Sequence, residues 1–512
     1  MKRASGVLMH IASLPGKYGI GTMGKAAYDF VDWLKSAGQK YWQILPICPT
    51  SYGDSPYQSF STYAGNPYFI DFDILRHDGY LIESDYSTLD FGDDENKIDY
   101  ELLYKNRKIV FLRAMERFVR NTPDDFRRFC VENAHWLDDY ALFMAIKDAH
   151  DGLEFSKWED NIRTREKGAV EMWRVKCSKS VMYYKVEQYF FHKQWFALKK
   201  YANKNGIEII GDIPIYVAAD SADVWANPRQ FVLDGDLKPT EVAGCPPDAF
   251  SDDGQLWGNP VYDWKYMRKT KYRWWIDRLK ASFQLYDIVR IDHFRGFDSY
   301  YCIKAGAKTA KDGVWRYGPG MHFWNRVGRE INPKSELPVI AEDLGFLTDS
   351  VRELLHSSGF PGMKVLQFAF DESGESDYLP FRYDKNCVVY TGTHDNDTIL
   401  GWCENAPDGD LEFAKEYLGA DDISEIPKKM MKAAIASTAD TCILTMQDLL
   451  GLSSSARMNI PSTLGGNWQW RAVDGQIDDN IAKRLKKCCM IYGRTEKDKT
   501  EANEITAEEN DK

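Results

Sequence analysis

What this chain lacks narrows it first. No stretch of its 512 residues approaches the ~20 consecutive apolar residues that cross a bilayer. No block of Lys and Arg stands out, and the formal net charge is -12; a nucleic-acid backbone demands a concentrated basic surface, so no nucleic-acid partner is expected. Ten cysteines are scattered, with only Cys488 and Cys489 adjacent. No CxxC or Cys/His spacing signals a metal site or a disulfide framework, which fits a reducing cytoplasm. No cofactor, metal or membrane association is expected. The opening "MKRASGVLMHIASLPG" places two basic residues before an apolar run, but His10 interrupts it and no A-x-A-like site follows. We therefore read residues 6 to 11 as a first strand and not as an export signal.

What is abundant is aromatic surface: 16 Trp, 29 Tyr and 26 Phe, 14% of the chain. That many rings must line grooves as well as fill a core, which favours sugars or other flat, amphipathic ligands. Eight short β-rich runs recur: "GVLMHI" (6 to 11), "YWQILPI" (41 to 47), "IEIIGDIPI" (207 to 215), "DIVRIDHF" (287 to 294), "LPVIAEDLG" (337 to 345), "MKVLQFAF" (363 to 370), "CVVYTGTHD" (387 to 395) and "CILTMQDLLG" (442 to 451). Several stay apolar until their last residues, as parallel strands covered by helices do. Amphipathic stretches such as "AAYDFVDWLKSAGQ" precede many of them. Eight strands alternating with helices predict an α/β fold, a (β/α)8 TIM barrel.

The uneven spacing marks insertions. We expect one catalytic barrel over 1–490, with a mainly helical insertion at about 70–204 after strand 2 and a loop-rich insertion at 216–270 after strand 3, lying over the mouth. From 491 on, the chain is charged and nearly free of aliphatics, and is expected to be a disordered, dispensable tail.

Three strand ends carry carboxylates. Residues two apart on a strand share a face, so Arg290 and Asp292 point together, into the barrel and at its carboxyl end. An arginine there favours the ionised aspartate that a nucleophile needs. Glu342 follows three apolar residues at the same level; apolar walls and a neighbouring anion would hold its proton to higher pH, as a general acid requires. His394 and Asp395 occupy the third position. A lone strand-end carboxylate is more often a helix cap or half of an ion pair, and Asp343 and Asp397 read as such cap-type residues. The coincidence of three strand ends points instead to glycoside chemistry, where two carboxyls flank the scissile bond. His293 and His394, each beside a carboxylate, suit hydrogen bonding to sugar hydroxyls.

With these residues in place, nearly the whole chain resembles the 4-α-glucanotransferases, also called amylomaltases or disproportionating enzymes, of glycoside hydrolase family 77. The resemblance rests on "HIASLPGKYGIG", "GDSPYQSFSTYAGNP", "GDIPIYVAADSADVW", "GCPPDAFSDDGQLWGNPVYDW", "RIDHFRGF", "VIAEDLG", "TGTHDNDTILGW" and "RMNIPSTLGGNWQWR". It implies Asp292 as nucleophile, Glu342 as general acid/base and Asp395 as transition-state stabiliser. It also implies substrate contacts for Tyr57, Asp212 and Trp257, beside Arg290, His293 and His394. The segment 457–471 reads first as turn punctuation, through Pro461 and Gly465-Gly466, and is left outside the catalytic set. The implied activity transfers a segment of a 1,4-α-glucan to the 4-hydroxyl of an acceptor glucose or glucan, with maltooligosaccharides and 1,4-α-glucans as partners.

Two other readings are open at this stage. A hydrolytic α-glucanase of amylase type would share the barrel and carboxylates; such relatives often add a C-terminal β-sandwich and bind calcium, and neither is expected here. A non-catalytic glucan-binding protein would tolerate loss of a carboxylate, yet all three are present.

Overall fold

The structure is a computed structural model that describes residues 3–51, 53–247, 252–334, 336–345 and 347–496. Its strands, in chain order, are β1 Ala4–Leu8, β2 Tyr41–Gln43, β3 Glu208–Pro214, β4 Glu241–Cys245, β5 Gln255–Pro260, β6 Ile288–Asp292, β7 Ser299–Lys304, β8 Val314–Tyr317, β9 Val339–Ala341, β10 Gly362–Val365, β11 Cys387–Tyr390 and β12 Thr441–Thr445. Eight of them form one parallel sheet in the order β10-β11-β12-β1-β2-β3-β6-β9. The ring closes where the Ala341 N–H donates to the Pro361 carbonyl (3.0 Å) at the entry to β10. This is the (β/α)8 barrel that the eight apolar runs predict.

Each observed strand is shorter than its apolar run; at β6, β9 and β11 the polar residues at the end of the run already belong to the turn that presents them. β6 stops at Asp292 since His293 takes a left-handed conformation (φ 56°), a reversal that histidine tolerates better than β-branched residues. The covering helices follow the 3.6-residue period. In the helix Lys25–Ser36 the buried face is Ala27, Phe30, Val31 and Leu34, the larger side chains contributing about 1.5–3 kcal/mol each by leaving water. On β3, a Cβ at Gly211 would lie 2.1 Å from the Tyr286 ring. Only glycine lets that ring pack against the outside of the strand, and its neighbour Asp212 then faces the interior.

Between β2 and β3 the chain is mostly helical, from Phe72–His77 to the 27-residue helix Ser178–Lys204 that leads back into the barrel. Trp195 of that helix is fully buried and donates from its indole N–H to the Leu285 carbonyl (3.1 Å). The segment expected to be loops, 216–270, holds instead the helix Ala222–Ala226 and the strands β4 and β5. These join β7 and β8, which follow β6, in an antiparallel sheet ordered β5-β4-β7-β8. Its Gly, Pro and Asp content hides the strands, and half of the sheet comes from a distant part of the chain.

Residues 491–496, expected to begin a disordered tail, belong to the packed structure. Ile491 ends the helix Asp479–Ile491, and Arg494 is buried, donating to the carbonyls of Ile435 (2.6 Å), Ala4 (2.9 Å) and Ala439 (3.0 Å). Its planar fork satisfies several carbonyls at once, which places a charged residue in the packed structure. Residues 497–512 of that expected tail lie outside the described residues. Arg494→Ala is expected to lower stability by about 3 kcal/mol, because it leaves buried carbonyls without donors; a urea unfolding midpoint equal to that of the parent would contradict this.

Candidate active site

The site is assembled by strand register. Asp212 of β3 pairs with Arg290 of β6, and Ile291 of β6 pairs with Ala341 of β9. Asp292 and Glu342 therefore sit side by side at the ends of adjacent strands, one strand spacing of about 4.8 Å apart in the backbone.

Arg290 lies at the base of this arrangement, 3% exposed. It donates through Nη1 to Asp212 Oδ2 (2.5 Å) and through Nη2 to Asp292 Oδ1 (2.9 Å). Burial opposes its charge, but Asp212 and Asp292 outweigh burial and hold its pKa well above the ordinary arginine value. For Asp212, 0% exposed, burial raises the pKa, while Arg290 and the hydrogen bond from Tyr57 act in the opposite direction.

The Tyr57 hydroxyl donates to Asp212 Oδ2 (2.9 Å). Its ring stacks on His394 with centroids 5.0 Å apart and planes 20° apart. Burial and the Asp212 charge keep the phenol protonated by raising its pKa well above the usual value. His394 Nε2 in turn lies 3.4 Å from Asp395 Oδ2. One chain of contacts thus runs from β3 to the loop after β11.

Glu342 has a different environment. It accepts from the His293 N–H at Oε2 (2.7 Å) and the Leu344 N–H at Oε1 (2.8 Å). The left-handed turn at His293 aims that first N–H. Burial, then the neighbouring Asp292 charge, lift the Glu342 pKa from the usual 4.5 to about 7, against the lowering effects of Arg290 and the two N–H donors. The His293 ring is packed edge-on to Trp257 at 4.8 Å. Burial, and then Arg295, lower its pKa to about 3, so it is neutral at physiological pH.

Tyr57, Trp257, Asp292, His293, His394 and Asp395 all line one cleft of about 310 Å³. Asp212 and Arg290 do not line it, but contact the lining residues Tyr57 and Asp292. Asp343 is not a helix cap: its Oδ1 accepts from the Met363 N–H (2.6 Å) and ties the end of β9 to β10. Asp397 precedes the cap Thr398, accepting from that residue's N–H (2.8 Å) and from Ser454 Oγ (2.7 Å).

The segment left outside the catalytic set contributes directly. Asn459 Nδ2 donates to Asp395 Oδ1 (2.7 Å), and Arg457 Nη2 donates to the Asp395 carbonyl (2.6 Å). Trp468 packs 5.8 Å from both Tyr57 and His394. The Asn, Arg and Trp set among turn residues was the available signal.

Glu342 sets a pH dependence with a defined sign. Its folded pKa exceeds its unfolded one, so its contribution to stability is complete below about 4.5 and is lost as pH rises through about 7. Glu342→Gln is expected to melt at a higher temperature than the parent at pH 8, the gap closing below pH 4.5. Equal melting temperatures at pH 8 would contradict the burial of this carboxyl.

Comparison with known proteins gives the family. The family model described as 4-alpha-glucanotransferase, glycoside hydrolase family 77, matches residues 9–475. The 4-alpha-glucanotransferase of Streptococcus pneumoniae is 51% identical over 496 residues, 96% of this chain and 98% of the relative. That of Clostridium butyricum is 49% identical over 490 residues, 95% of this chain and 100% of the relative. Among solved structures, the amylomaltase from Streptococcus agalactiae in complex with acarbose superposes with a TM-score of 0.94 at 44% identity, covering 97% of this chain and 100% of its own. The amylomaltase from Corynebacterium glutamicum shares the fold, with a TM-score of 0.71 at 18% identity over 96% of this chain and 74% of its own. With its barrel, its three strand-end carboxylates and these matches along almost its full length, the chain belongs to the 4-alpha-glucanotransferase family, glycoside hydrolase family 77.

Proposed function

We propose that the activity of this family runs here as a retaining double displacement on 1,4-α-glucans and maltooligosaccharides, with Asp292 as nucleophile, Glu342 as general acid and base, and Asp395 as stabiliser of the distorted sugar. Glu342, protonated, gives its proton to the glycosidic oxygen while Asp292 attacks the anomeric carbon. The bond to the departing chain breaks and a glycosyl ester on Asp292 forms. Glu342, now a carboxylate, takes the proton from the 4-hydroxyl of an acceptor glucose or glucan. That oxygen displaces Asp292, and the anomeric configuration is kept.

The observation that carries this reading is the contrast between two neighbouring carboxyls. Asp292 is bound to a guanidinium, while Glu342 is held by backbone N–H groups with its pKa raised to about 7. Such a split assigns anion and acid to different residues. Their placement on adjacent strands suits the short carboxyl separation of retaining enzymes, roughly 5 Å, better than the roughly 6.5–9.5 Å of inverting ones.

Asp395 is steered by Asn459 and His394 toward the same cleft, where it would grip hydroxyls of the reacting sugar. Tyr57 and Trp257 offer ring faces to the apolar C–H surfaces of glucose, and His293 and His394 offer ring nitrogens to its hydroxyls. Transfer instead of hydrolysis requires that an acceptor sugar outcompete water. β5 and the 459–468 segment form walls of the cleft between which an acceptor sugar would lie. We also place the enzyme in the cytoplasm. None of its ten cysteines, all described, is in a disulfide, and among the described residues no helix is long and apolar enough to cross a membrane. We take residues 1–490 as one catalytic unit, in which the segments at 70–204 and 216–270 are insertions into the barrel.

Incubation with maltotriose tests the reading. The parent is expected to release glucose and build a ladder of longer chains, and Asp292→Asn to lose at least about three orders of magnitude in rate. Shortening alone, with reducing ends rising and no longer products, would make the enzyme a hydrolase. No reaction would favour a glucan-binding protein.

A further inference from the structure

The antiparallel sheet carries aromatic surface that its own packing does not use. On the edge strand β8 all four residues are exposed, with Trp315 at 45% and Tyr317 at 89%. Residues two apart share a strand face, so indole and phenol stand together, about 7 Å apart along the chain.

Trp315 is nevertheless held in place. The Arg295 guanidinium lies over its ring, 4.2 Å from the centroid. Tyr301, its cross-strand partner, meets it edge-on at 5.2 Å. Fixing the ring beforehand reduces the entropy lost when a ligand lands on it. Arg316, between them on β8, points to the opposite face, where it pairs with Glu241 and leaves the aromatic face clear.

The location follows from the catalytic turn. Arg295 belongs to the turn Phe294–Phe297, three residues beyond Asp292. Asp298, next in the chain, binds both the end of β8 and the segment after Glu342. Its carbonyl accepts from the Gly318 N–H (2.6 Å), and its Oδ2 accepts from Ser350 Oγ (2.9 Å). In the barrel order, β6 has β9 and Glu342 on one side and β3, with Asp212 and its partner Tyr57, on the other. β8 is thus anchored to the Glu342 side.

We propose that Trp315 and Tyr317 form a carbohydrate platform that binds the outlying glucose units of the acceptor α-glucan. The inference rests on the double-displacement reading above, because it is the acid/base residue that faces the departing and incoming chains. Ring faces matched to the C–H surfaces of successive glucoses would favour long acceptors over short ones.

The test measures the acceptor KM for glucose and for maltoheptaose against one fixed donor, in the parent, Trp315→Ala, Trp315→Phe and Tyr317→Ala. Trp315→Ala is expected to raise KM for maltoheptaose about fivefold to tenfold while leaving KM for glucose and kcat within about twofold. Trp315→Phe should recover most of the loss. Tyr317→Ala, at a position too exposed to disturb folding, should raise only the maltoheptaose KM. Equal changes for both acceptors, or none, would overturn the platform. Retardation in native gels containing amylose, measured in the Asp292→Asn background, gives a readout independent of turnover. Weaker retardation with Trp315→Ala supports the platform, and unchanged retardation overturns it. Failure of the parent to lengthen maltotriose would instead strike the underlying reading.

Discussion

A single buried guanidinium holds this site together. Arg290 joins Asp212 and Asp292, neighbours on paired strands, and so turns two carboxylates at the top of the barrel into one compensated cluster. The buried charges of Arg290 and Asp212 would be costly apart; their mutual contact, the half-exposed Asp292 and the Tyr57 hydroxyl offset that cost. Tyr57 extends the cluster through its stack on His394 to Asp395. Residues from three strand ends and one loop are thereby held in a shared geometry before any ligand arrives.

Glu342 shows what happens one strand away from that cation. Without a guanidinium in contact, burial and the Asp292 charge dominate, and the carboxyl keeps its proton to about pH 7. The barrel register sets both facts at once. It gives Asp292 its arginine on the same strand, and it sets Glu342 beside Asp292 but against backbone N–H groups. The proposed division of labour between acid and nucleophile would then follow from which residue precedes each carboxylate on its strand.

Much of this was legible in the sequence because parallel barrel strands are long apolar runs and their polar ends are conspicuous. Arg290 and Asp292, two apart, announced a shared face. What escaped were contacts between segments that are distant in the chain and rich in turn residues. Asn459 reaches Asp395 across 64 residues, and in "RMNIPSTLGG" the signal of Arg457 and Asn459 is masked by the Pro and Gly residues of a turn. The antiparallel sheet escaped for a related reason: β4 and β5 are broken by Gly and Pro, and their partners β7 and β8 lie beyond β6. Arg494 misled in the opposite sense, since a charged residue in a polar stretch reads as solvated until the carbonyls around it are known.

The central claim is that Asp292 becomes covalently attached to the sugar. It is tested most directly by incubating the enzyme with a slow fluorinated α-glucosyl donor in the absence of acceptor, then mapping the adduct by peptide mass spectrometry. The account predicts one glycosyl group on the peptide spanning residues 288–297, located at Asp292 and discharged when maltose is added. An adduct on Glu342 or Asp395, or turnover with no adduct on any residue, would contradict it.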